Sequence, residues 1–281
     1  MVNVASVRRR ASLLAILALS VLGMVLFAWP LLGLGDPGAA AGVGVAAGAA
    51  AVLMAIEVGL RRLDSRALAL LASLSAIDAG ARAALVTGIG GFSPIFLLIL
   101  CGGYAFGPSF GFLLGATSLL VSALATGGLG PWLPYQMFAV GWVGLAAGVV
   151  GVIRRRRRTR MGRATWGDVL VLAATGAVTG YLFGAVMDLW QWTFYRSSPG
   201  LGFTPGMSSA SALQHFAHFY VATSAVYDSF RAGGNAVLVL AIGLPVLVSL
   251  GRLRHRRQVE IVPAPAAPST GARRAGPIAG A

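Results

Sequence analysis

Residues 135–158 read YQMFAVGWVGLAAGVVGVIRRRRR, an apolar segment that ends in five consecutive arginines. The apolar part, 135–153, has the length of a transmembrane helix, because about 20 residues are needed to cross the hydrocarbon core of a bilayer. Arginines directly after such a segment are typical of its cytoplasmic end. This stretch therefore predicts a membrane helix whose carboxyl end faces the cytoplasm.

The composition extends this prediction to the whole chain. Of the 281 residues, 57% are hydrophobic and 11% are charged, whereas soluble proteins carry about 25% charged residues. The 22 basic residues are all arginine and exceed the 8 acidic residues, which gives a net charge of +14. A basic chain suggests nucleic acid as a partner, but these arginines lie in short runs between apolar segments, as the flanks of membrane spans do. We therefore predict that the chain lies in a lipid bilayer and that its arginine runs do not bind nucleic acid.

We predict an all-α integral membrane protein with about eight transmembrane helices, placed in a bacterial plasma membrane with both termini cytoplasmic. The stretch 94–127 is interrupted at Gly107-Pro108 and forms either two short spans or a re-entrant pair. Residues 212–230 are expected to form an external or half-inserted helix, because a ninth span would move the last arginine run outside. The eight predicted spans are 11–33, 39–60, 67–88, 94–107, 109–127, 135–153, 167–190 and 233–251.

Few ionisable residues lie in the membrane segments apart from the arginine flanks, and such groups mark pairing or function because charge is costly there. Asp78 and Arg82 are four residues apart on one helix, and we expect them to neutralise each other. Asp228, Arg231 and Asn235 follow the spacing i, i+3, i+7 and share a helix face. That face either binds a ligand or forms a self-satisfied network that fixes helix packing.

The predicted external turns carry aromatic, proline and amide groups, at 90–94, 130–136 and 190–195. They form either an aromatic belt at the membrane interface or a small-molecule pocket, since pockets combine aromatic walls with a few polar groups. His215 and His218 share a helix face, but too few further ligands are near in sequence to predict a metal site. Enzyme motifs are missing as well, so we expect no catalysis. The alternative is a membrane lipid or prenyl transferase that uses Asp188, the two histidines and Asp228 at the external face.

Taken in order, several stretches resemble the substrate-binding S component of energy-coupling factor (ECF) vitamin transporters. A stripe of small residues, Ala72 and Ala76, precedes Arg82 on one predicted helix. The other stretches are Gly-Phe-Ser-Pro at 91–94, Ala-Phe-Gly-Pro at 105–108, Gly-Phe-Leu-Leu-Gly at 111–115, Gly-Pro-Trp-x-Pro-Tyr-Gln-Met at 130–137, Gly-Trp-x-Gly-Leu-x-Ala-Gly at 141–148, and Asp-x-x-Arg-Ala-x-Gly-Asn at 228–235.

The resemblance implies a six-helix substrate-binding core over 67–257, preceded by two extra helices within 1–66 and followed by a disordered cytoplasmic tail over 258–281. Such a core captures a vitamin or vitamin precursor outside the cell and delivers it through a transmembrane T component. Two ATPase subunits of the partner complex hydrolyse the ATP, so the chain itself needs no cofactor. Ala72 and Ala76 correspond to the positions that dock on the T component.

Within the family, the tryptophan-rich loop and the Asp-Arg-Asn face are most similar to members assigned to cobalamin or related corrinoids. We expect the substrate to contact residues of the external turns and of that polar face. The expected binding residues are Phe92, Ser93, Trp132, Tyr135, Gln136, Asp188, Trp192, His218, Tyr220, Asp228, Arg231 and Asn235.

Overall fold

All regular elements in the described part of the computed structural model are helices. The described residues are 4–32, 47–49, 51–58, 61, 63–84, 95–157, 163–196 and 198–258. Residues 47–49 and 51–58 are helical, and the remaining helices are α1 (Val4–Ala28, extended by a 3-10 turn over Trp29–Leu32), α2 (Ser65–Ala84), α3 (Ile95–Phe106), α4 (Pro108–Thr126), α5 (Leu133–Arg157), α6 (Trp166–Trp192), α7 (Ser209–Thr223) and α8 (Ala225–Gln258).

Five of these helices are long and apolar enough to cross a membrane, namely α2, α4, α5, α6 and α8. The prediction of a helical, multi-pass membrane protein is confirmed in this form, whereas the count of eight spans is not. Helix α3, predicted as a span at 94–107, has 12 residues, which rise roughly 18 Å against a hydrocarbon core of about 30 Å. The apolar stretch of α1, Leu13–Val25, is also short. The span predicted at 39–60 lies partly outside the described residues.

The break predicted at Gly107-Pro108 separates α3 from α4. Gly107 has a φ of +107°, a left-handed conformation that glycine adopts at low cost. Pro108 then occupies the first turn of α4, where its missing N–H costs no hydrogen bond. The chain therefore leaves one helix and starts the next within a single residue.

Helices α7 and α8 meet at a corner instead of forming one segment over 212–230. Ser224 caps α7 with its N–H bonded to the carbonyl oxygen of Tyr220, and α8 starts at Ala225 instead of residue 233. Asp228 lies in the first turn of α8, where a carboxylate is stabilised by the helix dipole. The polar positions 228, 231 and 235 thus belong to one continuous helix.

Glycines bring α3, α4 and α5 into backbone contact. A Cβ atom on Gly111 of α4 would overlap the carbonyl oxygen of Gly144 of α5, and a Cβ on Gly144 would overlap that of Gly111. Gly103 of α3 meets the same carbonyl of Gly144, and Gly148 of α5 meets Gly107. Close packing of this kind drives helix association in membranes, because apolar side chains gain nothing by leaving lipid for protein.

A polar cluster joins three helices at the end of the bundle that carries the arginines. The hydroxyl of Tyr104 in α3 donates to Asp168 Oδ1 at 2.6 Å, and Arg154 Nε of α5 lies 3.5 Å from the same oxygen. Asp168 also accepts from the backbone N–H of Thr165 at 2.9 Å and so caps the start of α6. This cluster compensates a carboxylate that is almost completely buried.

Helix α1 packs against α4, α5 and α6, with the ring of Phe27 centred 5.0 Å from that of Tyr135. Ala72 and Ala76 of α2 are both exposed in the described part of the chain. The small-residue stripe is therefore open to lipid or to another protein there. Residues 259–281, where the tail is predicted, lie outside the described residues.

The glycine contact predicts the effect of one methyl group. Gly111→Ala is expected to lower the free energy of unfolding by about 1–3 kcal/mol, because the new Cβ forces α4 away from α5. Gly233→Ala is the matched control, since a Cβ on Gly233 of α8 meets nothing within 4 Å. Unfolding of the purified protein in sodium dodecyl sulfate measures both variants. Equal stability of the two would contradict a backbone contact at Gly111.

Candidate functional site

A cavity of about 690 Å³ opens where α5 begins, α6 and α7 end and α8 begins. These helix ends lie opposite the arginine-rich ends of α5 and α8, so the cavity is at the arginine-poor face of the bundle. Its wall combines aromatic side chains, amides and three charged groups. The aromatic lining residues are Trp132, Phe183, Trp190, Phe194, Tyr195, Phe219 and Tyr227, the amides are Gln136 and Gln191, and the charged groups are Asp188, Asp228 and Arg231.

One side of the cavity is formed by an ion pair between Asp228 and Arg231 of α8. The side chain of Asp228 is 2% exposed and that of Arg231 is 15% exposed, so both charges are largely removed from solvent. Tyr220 of α7 donates its hydroxyl to Asp228 Oδ2 at 3.0 Å. The guanidinium of Arg231 also lies over the ring of Phe183, 5.2 Å from its centroid. The carboxylate and the guanidinium therefore each have partners within the protein.

The environment of Tyr220 keeps its hydroxyl in the donating form. Burial raises the pKa of the Tyr220 phenol, and the hydrogen bond to the Asp228 carboxylate raises it further. A phenol with a raised pKa stays protonated at neutral pH, so it continues to donate to the carboxylate.

Helix α6 approaches this ion pair through Gly184. A Cβ atom on Gly184 would overlap the carboxylate of Asp228. The glycine therefore lets the backbone of α6 lie directly against the ion pair and also forms part of the cavity wall.

Asp188, one turn further along α6, differs from Asp228 in its partners. Its Oδ2 atom is buried and accepts no hydrogen bond from the described residues. It lies near Ser224 and close enough to Asp228 and Arg231 to interact with their charges. The cavity wall thus includes a carboxylate of which one oxygen is buried and accepts no hydrogen bond from the described residues.

Several aromatic rings of the cavity wall contact one another. The ring of Trp190 lies 6.4 Å from that of Trp132 and 5.0 Å from that of Phe194, both edge to face. The rings of Tyr195 and Phe219, also in the wall, lie 5.3 Å apart and are tilted against each other. Such edge contacts hold the rings in place and leave parts of their faces directed at the cavity.

The structure brings together five of the residues predicted to bind substrate. Tyr135 and Tyr220 lie directly behind the wall, where they contact Trp190 and Asp228. Phe92 and Ser93 lie outside the described residues. The five in the wall are Trp132, Gln136, Asp188, Asp228 and Arg231.

Three other predicted binding residues lie away from the cavity. Trp192 is completely buried and donates its Nε1–H to the carbonyl oxygen of Leu201 at 2.7 Å. Its side chain points away from that of Trp190, because two residues turn a helix by roughly 200°. His218 is exposed on α7. Asn235 is 1% exposed and lies deeper along α8, where neither of its amide atoms has a hydrogen-bond partner among the described residues.

Several wall residues were not predicted from the sequence. Phe183 and Met187 line the cavity from the face of α6 that carries Trp190, a residue of the predicted turn 190–195, and their spacing of i, i+4, i+7 places the three on one stripe. The sequence Trp190-Gln191-Trp192 suggested that residues adjacent in the chain share the site. On a helix, the residues that share a face are three or four positions apart. Applying that spacing backwards from Trp190 would have found this stripe.

Of the remaining polar candidates, His215 and Arg82 have local partners, whereas neither carboxylate oxygen of Asp78 has a hydrogen-bond partner among the described residues. His215 Nδ1 lies 3.0 Å from the carbonyl oxygen of Gly202, and no group of three His, Cys, Asp or Glu side chains suited to a metal occurs among the described residues. Arg82 donates to Ser122 Oγ at 3.3 Å instead of forming a close ion pair with Asp78. Asp78 is completely buried between α2 and α4, beside Ser118.

The ion pair at the cavity predicts strong energetic coupling. Arg231→Ala is expected to lower the free energy of unfolding by about 2–3 kcal/mol, because it leaves Asp228 buried without its cation. Adding Asp228→Asn should recover part of that loss, which gives a coupling energy of roughly 1–3 kcal/mol in a double-mutant cycle. The exposed pair of Glu57 and Arg61, 2.6 Å apart, is the control, with an expected coupling below about 1 kcal/mol. Additive effects at 228 and 231 would contradict the pair.

Comparison of the chain with protein-family models, with curated proteins and with solved structures gives no match. Its function therefore has to be inferred from the cavity and from the residues around it.

Proposed function

We propose that the protein is the substrate-binding S component of an ECF-type importer in a bacterial plasma membrane. In this proposal it captures a vitamin or vitamin precursor in the cavity at the arginine-poor, external face. A T component and two ATPase subunits then drive delivery. The observation that carries the proposal is the cavity itself, where residues from the stretches that resemble this family, Trp132, Gln136, Asp228 and Arg231, line one space.

The position of the arginines supports an external cavity. Helix α5 ends in Arg154–Arg157, and α8 carries Arg252 and Arg254 near its end. Arginines accumulate on the cytoplasmic side of membrane proteins. The cavity lies at the opposite helix ends, which is where a nutrient from outside the cell would enter.

The packing below the cavity supports capture as opposed to conduction through a pore. The glycine contacts hold α3, α4 and α5 together, and the cluster around Asp168 joins α3, α5 and α6 at the arginine-rich end. A bundle tied in this way favours binding and release from one face. Delivery to the other side then requires a partner that moves or opens the protein, which accords with a separate T component and its ATPases.

Binding without ATP is the first expectation of this proposal. The full-length protein, purified in detergent, is expected to bind at least one member of a panel of B vitamins, their precursors and corrinoids, measured by isothermal titration calorimetry. Cobalamin and other corrinoids belong in the panel because the tryptophan-rich loop resembles members assigned to them. Arg231→Lys is the conservative variant, because it retains a positive charge beside Asp228 in the cavity wall. A panel in which no compound binds would overturn the proposal.

The small-residue stripe gives a second expectation. Ala72→Trp and Ala76→Trp are expected to abolish uptake of the bound compound by cells while leaving its affinity for the purified protein unchanged, because a bulky side chain blocks close approach of another helix. Leu170→Trp is the control, since Leu170 is exposed on α6, a different helix. Normal uptake by both alanine variants, or loss of binding instead of uptake, would argue against docking through this stripe.

A further inference from the structure

We propose that the compound captured in this cavity is a small organic cation with a flat ring. The inference rests on the proposed capture function and adds the charge and shape of the ligand. It is carried by the partners of the three charged groups in the cavity wall and by the aromatic residues around them.

The three charged side chains of the wall differ in how far the protein itself compensates them. Arg231 is bound to Asp228 and lies over Phe183, so the one cation among the lining residues is already engaged. Asp228 has a second donor in Tyr220. Asp188 is the remaining charged group among the described lining residues, and it gives them a net negative charge when it is ionised.

Asp188 has capacity for a further donor. Its Oδ2 is buried and without a hydrogen-bond partner among the described residues, and a buried carboxylate oxygen without a partner is costly. Asp188 forms part of the cavity wall, so a positive charge on a ligand in the cavity would compensate the charge of this carboxylate. An anionic ligand would meet the Asp188 carboxylate without gaining a free cation, since Arg231 is held by Asp228.

The helix ends around the cavity do not reverse this preference. Helices α5 and α8 begin there and direct their positive ends toward the cavity, whereas α6 and α7 end there and direct negative ends toward it. These partial charges oppose one another. Asp228 in the first turn of α8 further offsets the positive end of that helix. The side-chain carboxylate of Asp188 therefore dominates the local charge.

The aromatic wall is suited to the same ligand. Cations bind over the faces of aromatic rings, and Arg231 over Phe183 at 5.2 Å is an example of this geometry within the wall. Trp132 and Trp190 supply further ring faces on which a flat ring can stack. Gln136 and Gln191 provide amide donors and acceptors for polar substituents of that ring.

Three compounds of nearly equal size test the sign of the charge: 1-methylnicotinamide (+1), nicotinamide (neutral) and nicotinate (−1). The full-length protein in detergent is titrated with each, and binding is followed by ligand-observed NMR or by quenching of tryptophan fluorescence. We expect 1-methylnicotinamide to bind about 10-fold or more tightly than nicotinamide, because its permanent positive charge is attracted by the Asp188 carboxylate and by the faces of the aromatic rings. Nicotinate is expected to bind most weakly.

Variants of Asp188 assign the preference to this residue. Asp188→Asn is expected to reduce binding of 1-methylnicotinamide by about 10-fold while leaving nicotinamide unchanged. Asp188→Glu retains the charge and is expected to retain the preference for the cation. Glu57→Gln removes a carboxylate that lies exposed outside the cavity and is the matched control, with no expected change. The charge series on the wild-type protein provides a test that does not depend on folding of the variants.

The outcomes separate this inference from the proposed function. Equal binding of the three compounds, preference for nicotinate, or a preference for the cation that Asp188→Asn leaves intact would overturn the inference. Tight binding of a neutral or anionic vitamin with unchanged affinity in Asp188→Asn would also overturn it, while the capture function would stand. If neither the charge series nor the vitamin panel binds, both the inference and the capture function fail.

Discussion

Helices α4 and α5 touch through their backbones at Gly111 and Gly144, and the arrangement of the rest of the bundle depends on this contact. In a membrane, apolar side chains gain nothing by leaving lipid, so helices associate through close van der Waals packing. Glycine permits that packing because it carries no Cβ. Once α4 and α5 are in contact, the turn between them places Trp132 and the start of α5 beside the end of α6, where the cavity forms.

The two ends of the bundle use charge differently. At the arginine-rich end, Asp168 accepts hydrogen bonds from Thr165 N–H and from the Tyr104 hydroxyl and lies close to Arg154, so its charge is compensated by the protein. At the other end, Asp228 is compensated by Arg231, but Oδ2 of Asp188 is buried and has no hydrogen-bond partner among the described residues. Because a buried charge is costly without a partner, the cluster at the first end holds helices together, whereas the described residues at the second end leave Asp188 partly uncompensated.

The membrane class and most of the long helices were predictable from the sequence, because span length and arginine flanks are local properties. The segment ending in Arg154–Arg158 predicts a helix at 135–153, and the structure has α5 over Leu133–Arg157. The number of spans was harder to predict. A short apolar helix such as α3, with 12 residues, has the same apolar character as part of a longer span. Trp192 was predicted to bind substrate because it lies close to Trp190 in the sequence. The turn of the helix directs the two rings to opposite sides, and only Trp190 lines the cavity.

The sequence by itself determined that the chain is a helical membrane protein with arginines at particular helix ends, because hydrophobic length and charge act through residues close in the chain. It also determined that Asp228 and Arg231 share a helix face, since their spacing is a property of one helix. Only the tertiary structure decided that α6 meets this face at Gly184, that Asp188 Oδ2 accepts no hydrogen bond from the described residues and that Trp132 joins the wall. Those contacts join residues far apart in sequence, and they form only when the glycine-mediated packing brings the helices together.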